Sequence, residues 1–591
     1  MPTCTIDTVS VTVPDGTMVL DAAKKAGVVI PALCFLEGFE PLGACRVCMV
    51  EVEGAKSLVA ACSFPVGEGM KVSTNTRRVR EARRTVVELL LSEHDGNCQT
   101  CERNEDCELQ RLAYDLGIRT LRYEGEKTKA MIDDSTPALV RDNSKCIKCR
   151  RCVTVCTQVQ GVGAIFPQRR GFATVIGPAF ALGLADVSCV QCGQCAAVCP
   201  VGAIVENSHI ERVWTALEDQ SKTVVVQTAP AVRAALGECF GLPAGTLVTG
   251  KMYASLRRLG FDNIFDTNFT ADLTIIEEGM ELLSRLKSAI KEGKSVALPQ
   301  FTSCSPGWIR YMEIFYPEYL TNLSTCKSPQ QMFGAVAKTY WAAKIGRKPE
   351  DIYVVSVMPC TAKKFEADRP EMQSSGVRDV DAVLTTRELA RMIKQSGINF
   401  LTLADEDADH ILGVSSGAAD IFANTGGVME AALRTAYEVI TNRELPFGDL
   451  HINQLVGLTG VKELSLTITG TIPAWSFLEG VTVNLAVAHG LANARSVIEA
   501  IQSGAKMYHF VEVMTCPGGC IGGGGQPRLT TNEKRKARID AIYKEDRGKK
   551  LRKSHDNPKI KQIYAEFLDV PLGEKSHHLL HTTYKRCLEN S

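Results

Sequence analysis

Thiols dominate the chemistry open to this chain. Of its 591 residues 23 are cysteine, and they stand in groups rather than evenly. A chain this long can bury a core without covalent staples. Disulfides are uncommon outside oxidising compartments, so the spacings are read as metal ligation. Cys34, Cys45, Cys48 and Cys62 follow a C-x10-C-x2-C-x13-C spacing. That is close to the plant-type pattern for a 2Fe-2S cluster, in which a loop wraps the cluster and a last ligand returns from farther along. In HDGNCQTCERNEDC, His94, Cys98, Cys101 and Cys107 make a histidine and three-cysteine set. Such a set also suits structural zinc, but the neighbouring groups favour a 4Fe-4S cluster.

The most specific signal is a pair of C-x2-C-x2-C-x3-C runs, Cys146, Cys149, Cys152, Cys156 and Cys189, Cys192, Cys195, Cys199, the second followed by proline. Runs of this kind hold two 4Fe-4S cubanes, the fourth cysteine of each crossing to the other cluster. Cys199 is therefore expected with Cys146, Cys149 and Cys152, and Cys156 with Cys189, Cys192 and Cys195. The expected cofactors to this point are one 2Fe-2S cluster and three 4Fe-4S clusters, an electron wire without substrate chemistry. Farther on, SVALPQFTSC, DIYVVSVMPC and YHFVEVMTC are apolar, β-branched runs that each stop at a cysteine: Cys304, Cys360 and Cys516, with Cys520 four residues later.

The elements that must position these groups are legible in outline. IDTVSVTV alternates like a half-buried strand, PDG is a turn and TMVLDAAKKAG is a helix ending at glycine, which predicts a β-grasp ferredoxin domain over 1–78. VREARRTVVELLLSEH reads as a helix with His94 at its end, in a small helical iron-sulfur domain over 79–140. The two-cubane ferredoxin domain is expected over 141–220. From 221 to 525 strand-like and helical runs alternate, the signature of an α/β domain, here expected in two lobes. In open α/β sheets sites form at the strand ends, so Cys304, Cys360, Cys516 and Cys520 are expected to converge. After 526 the chain turns basic and helical, a C-terminal belt to residue 591. The fold class is thus multidomain α+β and α/β.

Bulk properties exclude other classes. Lys+Arg and Asp+Glu are 67 each, which removes the electrostatic case for nucleic acid or an anionic membrane as partner. No long apolar span and no charged-then-apolar leader are seen, so a cytoplasmic protein outside the membrane is expected. GTLVTGKM at 245–252 matches a phosphate-binding loop only to Lys251, because Met252 stands where Ser or Thr would hold magnesium. It reads better as a turn into the helix KMYASLRRLG.

TSCSPGW, MPCTAKKFE and EVMTCPGGCIGGGGQP closely resemble the three signatures of the catalytic domain of iron-only (FeFe) hydrogenases. The resemblance covers nearly the whole chain, upstream cluster order included. It implies an H-cluster, a 4Fe-4S cubane joined by one thiolate to a di-iron unit carrying carbon monoxide, cyanide and an azadithiolate bridge. On matching positions, Cys360, Cys516 and Cys520 hold the cubane, with Cys520 bridging to the di-iron unit. Lys363 donates to a cyanide, Met358 and Met514 pack on the di-iron unit, Pro230 and Ala231 line its bridge side, and Ser328 and Gln330 complete the pocket. Cys304, Glu278, Glu281 and Ser324 match the proton relay, Ser324 standing between Glu281 and the neighbourhood of Cys304. From spacing alone, Glu278 and Glu281 read sooner as a solvated helix face with Glu281 paired to Arg285; it is the resemblance that implies the relay.

The family usually carries two adjacent cysteines in the first signature, the second holding the cubane. Here that position is Ser305, and a hydroxyl is a poorer, harder ligand for iron-sulfur than a thiolate. Cys326, in NLSTCKSPQQ, is the first candidate for the missing bond, then Cys304, then the Ser305 oxygen. The tail resembles the small-subunit segment that in some hydrogenases is a separate chain. The function implied is reversible oxidation of dihydrogen, with electrons passed to a flavin and NAD(P)-binding subunit and a small 2Fe-2S subunit of a hetero-oligomeric complex, and to ferredoxin. Two alternatives compete: a hydrogen sensor, and an electron-transfer subunit, which would lack the three strand-end signatures.

Overall fold

A computed structural model describes residues 1–587. The first segment is a five-stranded sheet in the order Val9–Thr12, Thr3–Ile6, Lys71–Ser73, Met49–Val52, Val59–Ala60, closed by the helix Val19–Lys25. Thr3–Ile6 pairs parallel with Lys71–Ser73 and antiparallel with its hairpin partner, the mixed pairing of a β-grasp. The helix Arg77–Glu93 follows, started by the Thr76 hydroxyl accepting from the Val79 N–H, a capping bond that satisfies one of the helix's free donors. It ends at His94. In the two-cubane segment the helical turns Arg151–Thr154 and Gln194–Val198 each begin after a residue of positive φ, Arg150 and Gly193, and a small antiparallel pair, Leu139–Asp142 with Ile204–Glu206, joins the ends.

The large segment has two lobes, each a four-stranded sheet. In one lobe the order is Asn263–Asp266, Thr223–Thr228, Ile352–Met358, Ala382–Thr385, and every pairing is parallel. These strands are β-branched and buried, as expected of parallel strands covered on both faces. In the other, Gln300–Phe301, Phe510–Met514 and Thr482–His489 run parallel and the edge strand Val461–Thr467 runs antiparallel. Residues 245–252 do lead into a helix, Thr249–Leu259, with the Lys251 ammonium on the Leu403 carbonyl. No helix among the described residues is long and apolar enough to cross a membrane.

The tail runs over both lobes. Its helix Asn532–Gly548 packs on Gly417–Ile421 and is fixed by ion pairs from Arg538 to Glu238 at 2.7 Å and from Arg434 to Asp546 at 2.9 Å. Its last helix, Glu574–Leu580, packs on Pro329–Val336. Cys326 and His581 then form a backbone bridge.

Candidate active site and cluster path

The carboxyl ends of four strands meet in one cavity. Thr223–Thr228 delivers Ala229 and Pro230, Gln300–Phe301 delivers Cys304 and Ser305, Ile352–Met358 delivers Cys360, and Phe510–Met514 delivers Cys516 and Cys520. The cavity is walled by apolar groups, among them Pro230, Met358, Phe422 and Met514, with Lys363 as its one charged lining residue. The thiols of Cys360, Cys516 and Cys520 are all pushed up by burial, Cys520 to about 12, and the charge of Cys360 adds to the rise at Cys516 and Cys520. A bound cation reverses that cost by taking the thiolates as ligands. Three buried thiols gathered in an apolar chamber therefore fit an iron-sulfur group.

Around them a polar frame sets the orientation. The Lys363 ammonium donates to the Cys304 carbonyl at 3.1 Å and to Glu366 at 2.8 Å. Glu366 Oε2 also accepts from Ser328 at 2.8 Å and Gln330 at 3.0 Å. Gln330 lines the cavity, but Ser328 and Ala231 do not: Ser328 is spent on Glu366, and Ala231 offers its carbonyl to Gln526. Glu366, which organises Lys363, Ser328 and Gln330, was not singled out in the sequence, although its place three residues after Lys363 on one helix turn was the available signal.

Cys326 is the main departure. Its side chain is wholly buried, but it does not line the cavity. It lies instead 3.9 Å from Glu281 Oε2 and 3.9 Å from His581 Nδ1. The expectation that Cys326 supplies the fourth bond fails on placement, because Ser328 opens the next helix and Cys326 is turned toward the tail. Ser305 and Cys304 both line the cavity.

The relay residues do assemble. Glu278 and Glu281 lie on the helix Asn268–Leu286. Glu278 is buried, neither of its oxygens has a hydrogen-bond partner, and burial, then the charge of Glu281, push its carboxyl up to about 8. The Cys304 thiol is likewise raised, by burial and then by the charge of Glu278. Ser324 Oγ donates to Glu281 Oε2 at 2.7 Å, and Arg285 donates to Oε1 at 2.7 Å. Ser324 thus stands against Glu281, as expected of a relay hydroxyl. The Glu281 to Arg285 pair is present as well, so the two readings of Glu281 coexist.

The other ligand sets also come together. Cys34, Cys45, Cys48 and Cys62 face one another closely enough that hydrogen bonds from Cys45 and Cys62 drive the Cys34 thiol down to about 2. His94, Cys98, Cys101 and Cys107 line one pocket; Gly96 N–H donates to His94 Nδ1 at 3.1 Å, while Nε2 is buried without a partner. An orphaned imidazole nitrogen beside three thiols fits metal ligation. Cys146, Cys149, Cys152 and Cys199 line a second pocket, and Cys156, Cys189, Cys192 and Cys195 a third, the crossed arrangement that the spacing implies.

The path forks. Arg151 reaches Ala32 of the first segment at 3.0 Å, and the buried Arg103 reaches the Cys199 carbonyl at 2.5 Å. Both the first-segment thiols and the histidine-cysteine pocket therefore adjoin the pocket of Cys146. At the other end Cys192 lines both the second cubane pocket and the catalytic cavity. Thr361 donates to the Gln191 carbonyl at 2.9 Å, and Gln194 to that of Gly522 at 2.9 Å. Gly193 and Gly524 abut at this seam, where a Cβ on either would strike the facing backbone or Thr361.

Crossed cubane pockets leading to a thiol-lined chamber between two α/β lobes define an iron-only hydrogenase, and the comparisons agree. The iron only hydrogenase large subunit, C-terminal domain, matches residues 222–524, and the iron hydrogenase small subunit matches 532–586. Upstream, a 2Fe-2S cluster binding domain matches 1–77, the NADH-ubiquinone oxidoreductase-G iron-sulfur binding region 83–122 and a 4Fe-4S dicluster domain 145–203. This chain belongs to the iron-only hydrogenase family, a hydrogenase whose H-cluster domain is joined to iron-sulfur relay domains. It is 50% identical to the NADP-reducing hydrogenase subunit HndD of Solidesulfovibrio fructosivorans over 99% of both chains. It is 41% identical to iron hydrogenase 1 of Clostridium pasteurianum over 99% of this chain and 100% of that one. A solved structure of the FeFe-hydrogenase HydA1 of Chlamydomonas reinhardtii superposes with a TM-score of 0.58 at 43% identity, covering 64% of this chain and 99% of that one.

Proposed function

We propose that this chain is the hydrogen-converting subunit of a cytoplasmic, hetero-oligomeric NADP-linked hydrogenase. Its cofactors are one 2Fe-2S cluster, three 4Fe-4S clusters and an H-cluster. Its functional units are 1–78, 79–140, 141–220, 221–525 and 526–591. The observation that carries the reading is Cys192, a wall of both the relay and the catalytic chamber. The NADP link rests on the name of the relative at 50% identity over the full length. A flavin and NADP-binding subunit, a small 2Fe-2S subunit and ferredoxin are the proposed electron partners, approached through the fork.

When bound, the H-cluster supplies the heterolysis of dihydrogen and takes up its electrons. The chain's own residues do the rest. Cys360, Cys516 and Cys520 would hold the cubane, with Cys520 as the bridging thiolate, and the fourth place would fall to Ser305 or Cys304, which both line the cavity; the Ser305 oxygen is the choice tested below. Lys363, braced by Glu366, presents an ammonium to a cyanide. Pro230, Met358 and Met514 exclude water, which keeps the proton on the intended route. The proposed proton route runs from the cavity through the Cys304 thiol, Glu278, Ser324 and Glu281 to an exit near Arg285, its outer step lying along the 2.7 Å hydrogen bond from Ser324 to Glu281.

The test is anaerobic maturation followed by infrared spectroscopy for iron-bound carbonyl and cyanide, with hydrogen-dependent reduction of NADP measured with and without the partner subunits. Bands with NADP reduction only in the reassembled complex are the expected result. Absence of bands would leave an electron-transfer subunit, and ferredoxin reduction alone would remove the NADP link.

A further inference from the structure

Beside Glu281, three side chains of metal-ligand type converge. Cys326 Sγ is 3.9 Å from both Glu281 Oε2 and His581 Nδ1, and the three donor atoms lie within 4.8 Å of one another in a buried setting. A tetrahedral zinc, with bonds of about 2.3 Å to sulfur and about 2.0 Å to nitrogen or oxygen, holds its donors roughly 3.5 Å apart. A small closure of these side chains reaches that spacing.

The surroundings are those of a ligand set. His581 Nε2 lies 3.1 Å from Glu277 Oε2. A carboxylate there can only accept, so Nε2 carries the hydrogen and Nδ1 keeps its lone pair, which accepts from the Thr325 hydroxyl at 2.8 Å with Cys326 Sγ next at 3.9 Å; a metal would displace that hydroxyl. Glu277 is itself fixed by Tyr564 and Ser576 at 2.5 Å each and by the Leu572 N–H at 2.9 Å. A histidine oriented by an anchored carboxylate is the usual support of a metal-bound imidazole. The backbone bridge between Cys326 and His581, with Lys327 N–H donating to the Leu580 carbonyl at 2.8 Å, holds the two ligands in register. A thiolate, a carboxylate and a neutral imidazole together balance a dication, so the filled site buries no net charge. Cys326 would bind as the thiolate, so filling the site releases its proton.

We propose that Cys326, His581 and Glu281 form a site for a divalent cation of the zinc class, with solvent as fourth ligand, and that filling it closes the proton exit. Glu281 Oε2 is the atom to which Ser324 donates, so a metal there takes the oxygen from the path. The closure rests on Glu281 carrying protons, as proposed above; the binding does not.

The experiment is zinc-edge X-ray absorption on the cluster-loaded, full-length protein with one equivalent of zinc, with hydrogen oxidation recorded on the same samples. The expected shell is one sulfur at about 2.3 Å and otherwise nitrogen or oxygen, with the sulfur lost in Cys326→Ser. The rate should fall roughly tenfold or more, recover with a chelator, and resist zinc in His581→Gln relative to that variant's own zinc-free rate. A shell with no sulfur, or with several, overturns the site without recourse to any variant. The expected shell with an unaffected rate keeps the site and overturns both the closure and the place of Glu281 in the path.

Discussion

The hydroxyls of Ser305 and Thr515 face one another at 2.8 Å, and the Thr515 N–H points at the same serine oxygen at 3.3 Å. Ser305 is thereby held next to the residue that precedes Cys516, on the wall where a fourth cubane ligand belongs. Replacing the oxygen with sulfur gives iron a softer donor. Ser305→Cys is expected to raise the reduction potential of the catalytic cubane and change its electron paramagnetic resonance, and Ser305→Ala to lower iron retention. If both variants leave that signal untouched, Cys304 is the ligand.

Cys326→Ala separates the remaining candidate. Because the thiol lies outside the cavity, carbonyl and cyanide bands should persist at parental intensity, with a stability loss of about 1 kcal/mol for the buried atom removed. Loss of the bands would return Cys326 to the cluster.

Glu278→Gln keeps the shape of the relay and removes its exchangeable proton. Hydrogen turnover is expected to fall roughly 10²- to 10⁴-fold, with the infrared bands unchanged. A rate within twofold of the parent would take Glu278 out of the path.

The same residue should make folding pH-dependent. Its carboxyl is raised to about 8 in the fold, so the folded chain binds a proton that the unfolded chain releases above about pH 4.3. Stability from this group is complete below that value and is lost as pH climbs toward 8, at up to about 1.4 kcal/mol per unit. The thermal inactivation midpoint of the parent should therefore decline over this window relative to Glu278→Gln. Parallel profiles would show that Glu278 is ionised in the fold.

Glu366→Gln tests the frame behind Lys363. With the negative charge gone, the ammonium loses its partner at 2.8 Å, and retention of the di-iron unit should weaken about 10- to 100-fold, as for other residues that orient a metal-site group. A shift of the cyanide bands would accompany it. Unaltered bands and occupancy would mean that the Cys304 carbonyl alone suffices to place Lys363.

What the sequence disclosed followed from ligand chemistry. A cluster fixes both the type and the spacing of its cysteines, so the four upstream sets and the crossing of Cys156 and Cys199 could be assigned without coordinates. Strand ends at Cys304, Cys360 and Cys516 were legible because β-branched runs stop there. The place of Cys326 was not, because one residue of rotation before the helix Pro329–Val336 decides whether a thiol faces the cavity or the tail. Glu277 and His581 act through partners distant in sequence, whereas Glu366 had only its place three residues after Lys363 to announce it. The fork at the Cys146 cubane was equally hidden, since the order of cysteines along a chain suggests a line while Arg103 and Arg151 fold it into a branch.

The C-terminal segment crosses both lobes and sets His581 against Cys326. In a two-chain arrangement that docking would be a bimolecular equilibrium, weakened by dilution. Joined to the chain through the short stretch after Gly525, the segment instead experiences a high effective concentration at its own groove. The assembled state then depends on linker geometry rather than on how much protein is present, and a cut within residues 526–531 should restore the dependence on dilution that the covalent join removes.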